Sequence, residues 1–234
     1  MPARLKHFFI FIVFLLAISY QLSAISYAAP CYGTRMPERN KFFAMLESYS
    51  LFKRPLEGNN GTMRSQQEFY GMSYGVFDWL SIDLKAGAGN IKQHPVDSNE
   101  VSYNSNFAGG YGLRLRIFEM DKIKAVFGFQ HISVHPKSRN LGDVKNKAIL
   151  DDWQVSLLGS YDFKIITPYL GTRWSRVDYI HKWGSDKKRV MSPSGKEFGF
   201  IYGCNIKFTD RIWLNLEGQA IDATAFAGSI NYSF

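Results

Sequence analysis

The 234-residue sequence predicts an all-β chain: a closed, antiparallel, up-and-down transmembrane β-barrel of ten strands, preceded by a cleaved signal peptide. Three observations lead there. The last ten residues set Phe226, Gly228, Ile230, Tyr232 and Phe234 against Ala225, Ala227, Ser229, Asn231 and Ser233. Successive strand residues face opposite sides, so this segment has one oily and one small, polar face. Segments of the same kind recur along the chain, joined by connections that alternate between long and short. The one long apolar run lies near the N-terminus.

Composition agrees. Aromatic residues make up 16% of the chain and charged residues 21%, and mean hydropathy is slightly negative. A helical membrane protein would need several long apolar runs. A barrel averages lipid-facing and lumen-facing residues along each strand. Arg4 and Lys6 precede the apolar run Phe8–Ile18, and Ser26-Tyr27-Ala28 offers small residues for cleavage after Ala28. This reads as a secretory signal peptide over 1–28, its run being short for a retained anchor. Pro30 stands where a lipoprotein signal before Cys31 needs Gly or Ala. The mature chain is then exported through the Sec pathway. Cys204 falls on an apolar strand face and reads as a small hydrophobe. Cys31 reads as an unpaired leader residue, with a disulfide to Cys204 as the alternative.

Residues 29–40 contain Pro30, Gly33 and Pro37 without pattern and read as a periplasmic leader; 41–234 reads as the barrel. The expected strands are 41–52, 68–77, 80–89, 106–117, 122–134, 152–161, 166–180, 197–208, 212–220 and 225–234. The fourth is the clearest: Phe107, Gly109, Tyr111, Leu113, Leu115 and Ile117 oppose Asn106, Ala108, Gly110, Gly112, Arg114 and Arg116. Connections after strands one, three, five and seven are long and polar; those after two, four, six and eight are short. The short ninth connection breaks the rhythm, and eight strands is the alternative count. Aromatic residues gather near both strand ends, as interfacial girdles do. Phe77, Trp79, Phe163 and Phe208 lie by short turns; Phe52, Tyr103, Trp153 and Trp183 lie by long loops.

The terminal Phe234 with Tyr232, Ile230 and Phe226 before it resembles the C-terminal signal of bacterial outer-membrane β-barrel proteins. The whole mature chain is similar to small, porin-like members of that class, with no motif selecting a subfamily. The resemblance implies an outer-membrane location, with membrane lipid and lipopolysaccharide as surroundings. It also implies recognition of Ile230, Tyr232 and Phe234 by the barrel assembly machinery. Oligomeric state stays open.

The faces opposite the apolar ones hold a lumen-facing polar set: Glu47, Asp83, Lys85, Arg114, Arg116, Arg173, Glu197, Lys207 and Glu217. Charges in a narrow interior are costly unless paired. They therefore read as a salt-bridged plug, or as the lining of a narrow conduit where inward glycines such as Gly75 and Gly112 thin the filling. The long loops are basic, with Lys137, Arg139, Lys145 and Lys147 in one and Lys187, Lys188 and Arg189 in another; net charge is +8. Such patches attract polyanions. For an exported chain these are surface glycans or lipopolysaccharide rather than nucleic acid. The expected role is structural or narrowly porin-like, with a loop-based glycan binder as the alternative. No enzyme, cofactor or metal site is expected. His131-Ile132-Ser133 has a His-x-Ser spacing similar to that of an outer-membrane deacylase, but it is a single tripeptide.

Overall fold

The computed structural model describes residues 30–234; the expected signal peptide and its cleavage site lie outside them. Ten long strands form the wall: β1 (Phe42–Pro55), β2 (Thr62–Phe77), β3 (Leu80–His94), β4 (Val101–Met120), β5 (Ile123–Val134), β7 (Val144–Tyr161), β8 (Ile166–Trp183), β10 (Phe198–Lys207), β11 (Ile212–Ala220) and β12 (Thr224–Ser233). Each pairs antiparallel with the next, and β12 returns to β1, with Leu46 opposite Ile230 and Ala44 opposite Tyr232. The barrel is closed and has ten strands.

Alternation does what the sequence asks of it. Tyr70, Leu84, Phe107, Leu157, Leu170 and Ile230 stand outward and exposed, whereas Asp83, Lys85, Arg114, Arg173 and Glu217 are buried inside. An exterior of large apolar side chains suits hydrocarbon. Closure leaves no strand edge whose backbone groups would go unsatisfied in lipid. Rings cluster at the short turns: Phe77 stacks on Trp79 at 5.3 Å, and Phe42 meets the terminal Phe234 at 4.8 Å. A closed barrel with this exterior is built to span a lipid bilayer, and its short-turn end is the one expected on the periplasmic side.

Two elements were not foreseen. β6 (Arg139–Leu141) folds back on β7, and β9 (Asp186–Met191) folds back on β8. The expected long loops are therefore largely hairpins that continue β7 and β8 beyond the membrane. Each has a two-residue turn opened by a glycine with positive φ, Gly142 at 62° and Gly184 at 59°, the conformation tight hairpins require. The wall is uneven as a result. β7 and β8 are 18 residues each, while β10, β11 and β12 are 10, 9 and 10. The tall side carries the basic hairpins.

Candidate functional site

The lumen is filled in three layers. At the periplasmic end, Pro30–Pro37 lie inside the barrel, with Cys31, Thr34 and Met36 buried. This corrects the expected periplasmic leader: the segment is a plug. Arg114 fastens it. Its Nε and Nη2 donate to the two Asp83 oxygens at 2.9 and 2.7 Å, and its Nη1 donates to the carbonyls of Tyr32 and Arg35 at 3.1 and 2.6 Å. Lys85 pairs with Glu47 at 2.8 Å and lies 4.2 Å over the Tyr32 ring. Glu217 accepts the Cys31 N–H at 2.7 Å and the Tyr169 hydroxyl at 3.0 Å. Arg35 caps the mouth, 3.9 Å over Trp213. Gly75 makes room for the end of this segment: a Cβ there would fall 2.0 Å from the Glu38 carbonyl oxygen and 2.8 Å from that of Pro37, whereas at Gly112 the obstacle is the Phe129 carbonyl oxygen of β5, at 2.5 Å.

Above the plug is a second charged layer. Asp222 bonds both Arg54, at 2.7 Å, and Arg173, and all three side chains are fully buried. Arg54 also donates to the Ser175 carbonyl at 2.8 Å and to Ser192 Oγ at 3.0 Å. Asp222 reaches inward because the β11–β12 connection is so short that Ile221 takes φ 87°, a conformation a β-branched residue seldom adopts. The third layer is apolar. Tyr49, Met63, Ile91, Tyr103, Leu150 and Tyr179 pack together at the extracellular end.

Glu47, Asp83, Lys85, Arg114, Arg173 and Glu217 thus share the interior. The other three members of the expected polar set do not join them. Arg116, opposite the buried Val126, lies at the periplasmic rim just before the register shift that follows it, 2.6 Å from Glu119. Lys207 is exposed and bonds Asp210 in the next turn at 2.5 Å, holding that carboxyl below its usual range. Glu197 lies just before β10 and accepts the Trp174 indole N–H at 3.0 Å. In planar bilayers, the inserted full-length barrel is expected to give no stepwise conductance. Ohmic steps from folded protein would refute a filled lumen.

The outer surface of the tall wall holds the basic residues. Cross-strand register places Lys147 opposite Lys182, and Lys182 opposite Lys187, in one row. No ion pair reaches any of the three among the described residues. Lys145 lies two residues from Lys147, on the same strand face. Arg189 follows on β9, opposite Ile180, and is held by Asp178. Lys188 lies opposite His181. Lys137 and Arg139 stand apart over the top of β4, where the Lys137 N–H bonds the Asn104 carbonyl at 2.9 Å and Arg139 reaches the Ser102 carbonyl at 3.4 Å.

Below the lysine row, the same wall brings His131, Ser133, His135 and Asp151 together. Ser133 Oγ lies 2.8 Å from His135 Nε2 and donates to Asp151 Oδ1. His131 Nε2 is 3.7 Å from the same carboxylate, and its ring packs 3.9 Å from Trp153. The adjacency arises because β5 and β7 place Ser133 directly opposite Asp151. Only that register could have revealed it from sequence.

No family model matches the sequence, and no curated protein does. Among solved structures, the chain is similar to an outer membrane channel from Pseudomonas putida F1, at 10% identity over 88% of this chain and 100% of that one, TM-score 0.47. The translocator domain of the autotransporter NalP from Neisseria meningitidis matches at 11% identity over 99% and 97%, TM-score 0.47. The outer membrane protease OmpT from Escherichia coli matches at 10% over 91% and 100%, TM-score 0.43. At these values the likeness is one of strand architecture, and no functional argument rests on it.

Proposed function

We propose that this barrel serves the envelope through its extracellular outer wall, as a binder of phosphorylated outer-leaflet glycolipid, rather than as a conduit. The observation that carries the reading is the row Lys147–Lys182–Lys187. Like charges directly opposed across strands are destabilising. A row of three, with no carboxylate to balance it, is a cost that an anionic ligand removes. The position suits such a ligand. The row belongs to the hairpin extensions above the membrane, on the outward face, where headgroup phosphates lie beside the wall. Filling of the lumen by the plug, the Asp222 layer and the apolar layer weighs against the porin-like reading.

The test is binding of lipopolysaccharide to the refolded protein in neutral detergent, followed across ionic strength. Surface electrostatics weakens as the Debye length falls from about 10 Å at 0.1 M salt to about 3 Å at 1 M. Binding that collapses over that range is the expected result. Binding indifferent to salt, or absent at low salt, refutes the reading.

A further inference from the structure

We propose that Ser133, His135, Asp151 and His131 form a serine-hydrolase site on the lipid-facing wall, which cleaves ester-linked acyl chains from phosphorylated lipids of the outer leaflet. The location comes first. These side chains point out of the barrel, on alternate positions with the buried Ile132, Val134 and Asp152. Asp151 lies ten residues up β7 from Tyr161. At ~3.4 Å per residue and a tilt of roughly 40°, that is about 26 Å above the periplasmic turn, against an apolar band about 25 Å tall. The cluster therefore sits where acyl chains meet headgroups, which is the depth of their ester bonds. A Ser–His–Asp cluster on the outer face contributes nothing to closing the barrel.

The geometry matches the chemistry. Ser133 Oγ and His135 Nε2 are within proton-transfer reach at 2.8 Å, the relation a nucleophile needs with its base. Asp151 accepts the Ser133 hydroxyl and faces His131 at 3.7 Å. It thus orients the nucleophile and balances the positive charge that develops on the imidazoles. Trp153 and Tyr111 hold the His131 ring at 3.9 and 5.3 Å, with its Nε2 buried and facing the Asp151 carboxylate.

In the reaction, the Ser133 hydroxyl turns its single proton from Asp151 to the neutral His135 Nε2, and Oγ bonds the acyl carbon as that proton passes to His135. Collapse of the tetrahedral intermediate breaks the ester C–O bond, and the departing lipid alkoxide takes the proton from His135. Water then attacks the acyl-serine, again through His135, releasing fatty acid and restoring the Ser133 hydroxyl. Ester and water give acid and alcohol, with no other reactant. The preference for anionic over zwitterionic lipid rests on the lysine-row reading; ester cleavage does not.

The test uses the folded full-length barrel and three substrates: phosphatidylglycerol vesicles, phosphatidylcholine vesicles and lipopolysaccharide. Fatty-acid release and the intact mass after treatment with a fluorophosphonate are both read. Release from an anionic substrate, and a single adduct, both lost at least 10³-fold in Ser133→Ala while the unboiled gel band stays folded, is the expected result. Asp151→Asn should retain the fold and lose most of the release. Release from phosphatidylglycerol alone or from lipopolysaccharide alone identifies the lipid source. Equal rates on phosphatidylcholine keep the hydrolase and overturn the lysine-row reading. No adduct, and no release above the Ser133→Ala background from any of the three, overturns the hydrolase.

Discussion

Replacing Asp222 with Ala is expected to cost the barrel about 3–5 kcal/mol, the usual penalty for breaking a buried ion pair. Two guanidiniums, Arg54 and Arg173, converge on this one carboxylate, and neither is exposed. Removing it leaves two cations in a site that water does not reach, and their desolvation is then uncompensated. The pairing also ties distant parts of the wall together, since Arg54 comes from β1, Arg173 from β8 and Asp222 from the β11–β12 turn. Urea unfolding in detergent micelles, read by gel mobility, checks this. A midpoint unchanged within error would mean that the Asp222 layer is hydrated and that the interior is wetter than described. A double replacement, Arg54→Met with Asp222→Leu, should recover part of the loss, because apolar substitutes for a buried pair are often tolerated.

The second large effect concerns the outer wall. Changing Lys147, Lys182 and Lys187 together to Gln should raise stability slightly and weaken lipopolysaccharide binding strongly. The stability gain comes from removing repulsion between directly opposed lysines. For binding, each lysine near an anionic surface is worth about 1 kcal/mol, so three give about 3 kcal/mol, or roughly a 150-fold loss. Titration at low salt measures both directions on one sample. A triple variant that binds as well as the native chain, or that is less stable, would assign those lysines a different role.

Much of the wall was legible from sequence because lipid enforces strict alternation. β11 was placed at Ile212–Ala220 and is observed there, and the short turns fell between the expected strands. Alternation fades once a strand leaves the bilayer, since a hairpin in water is not obliged to keep one oily face. That is why β6 and β9, rich in Lys, Arg and Asp, read as loops. The plug was illegible for a related reason. Pro30–Pro37 is irregular backbone held by Arg114 and Glu217, so it has no period of its own. Its trace lay on another strand, at Gly75, where a side chain would collide with the carbonyls of Pro37 and Glu38.

The candidate site divides the same way. Parity alone placed Glu47, Asp83, Lys85, Arg114, Arg173 and Glu217 inside. Arg116, Glu197 and Lys207 lie at strand ends, where a rim partner takes the side chain and parity does not say how deep it sits. The lysine row and the Ser133–Asp151 contact depend on cross-strand register, which a period-2 pattern does not specify.

The barrel is filled by its own segment Pro30–Pro37, and Cys31 reports on that filling directly. In a Cys204→Ser variant, Cys31 is the remaining thiol. It is buried, with its backbone N–H on Glu217 and its sulfur 3.7 Å from the Gln154 side-chain amide. The measurement is the rate of labelling by a small hydrophilic maleimide in the folded barrel, compared with the same protein after urea unfolding. Protection when folded, lost together with the folded gel band, is the expected result. Rapid labelling of folded protein would place the segment outside the lumen and contradict the account.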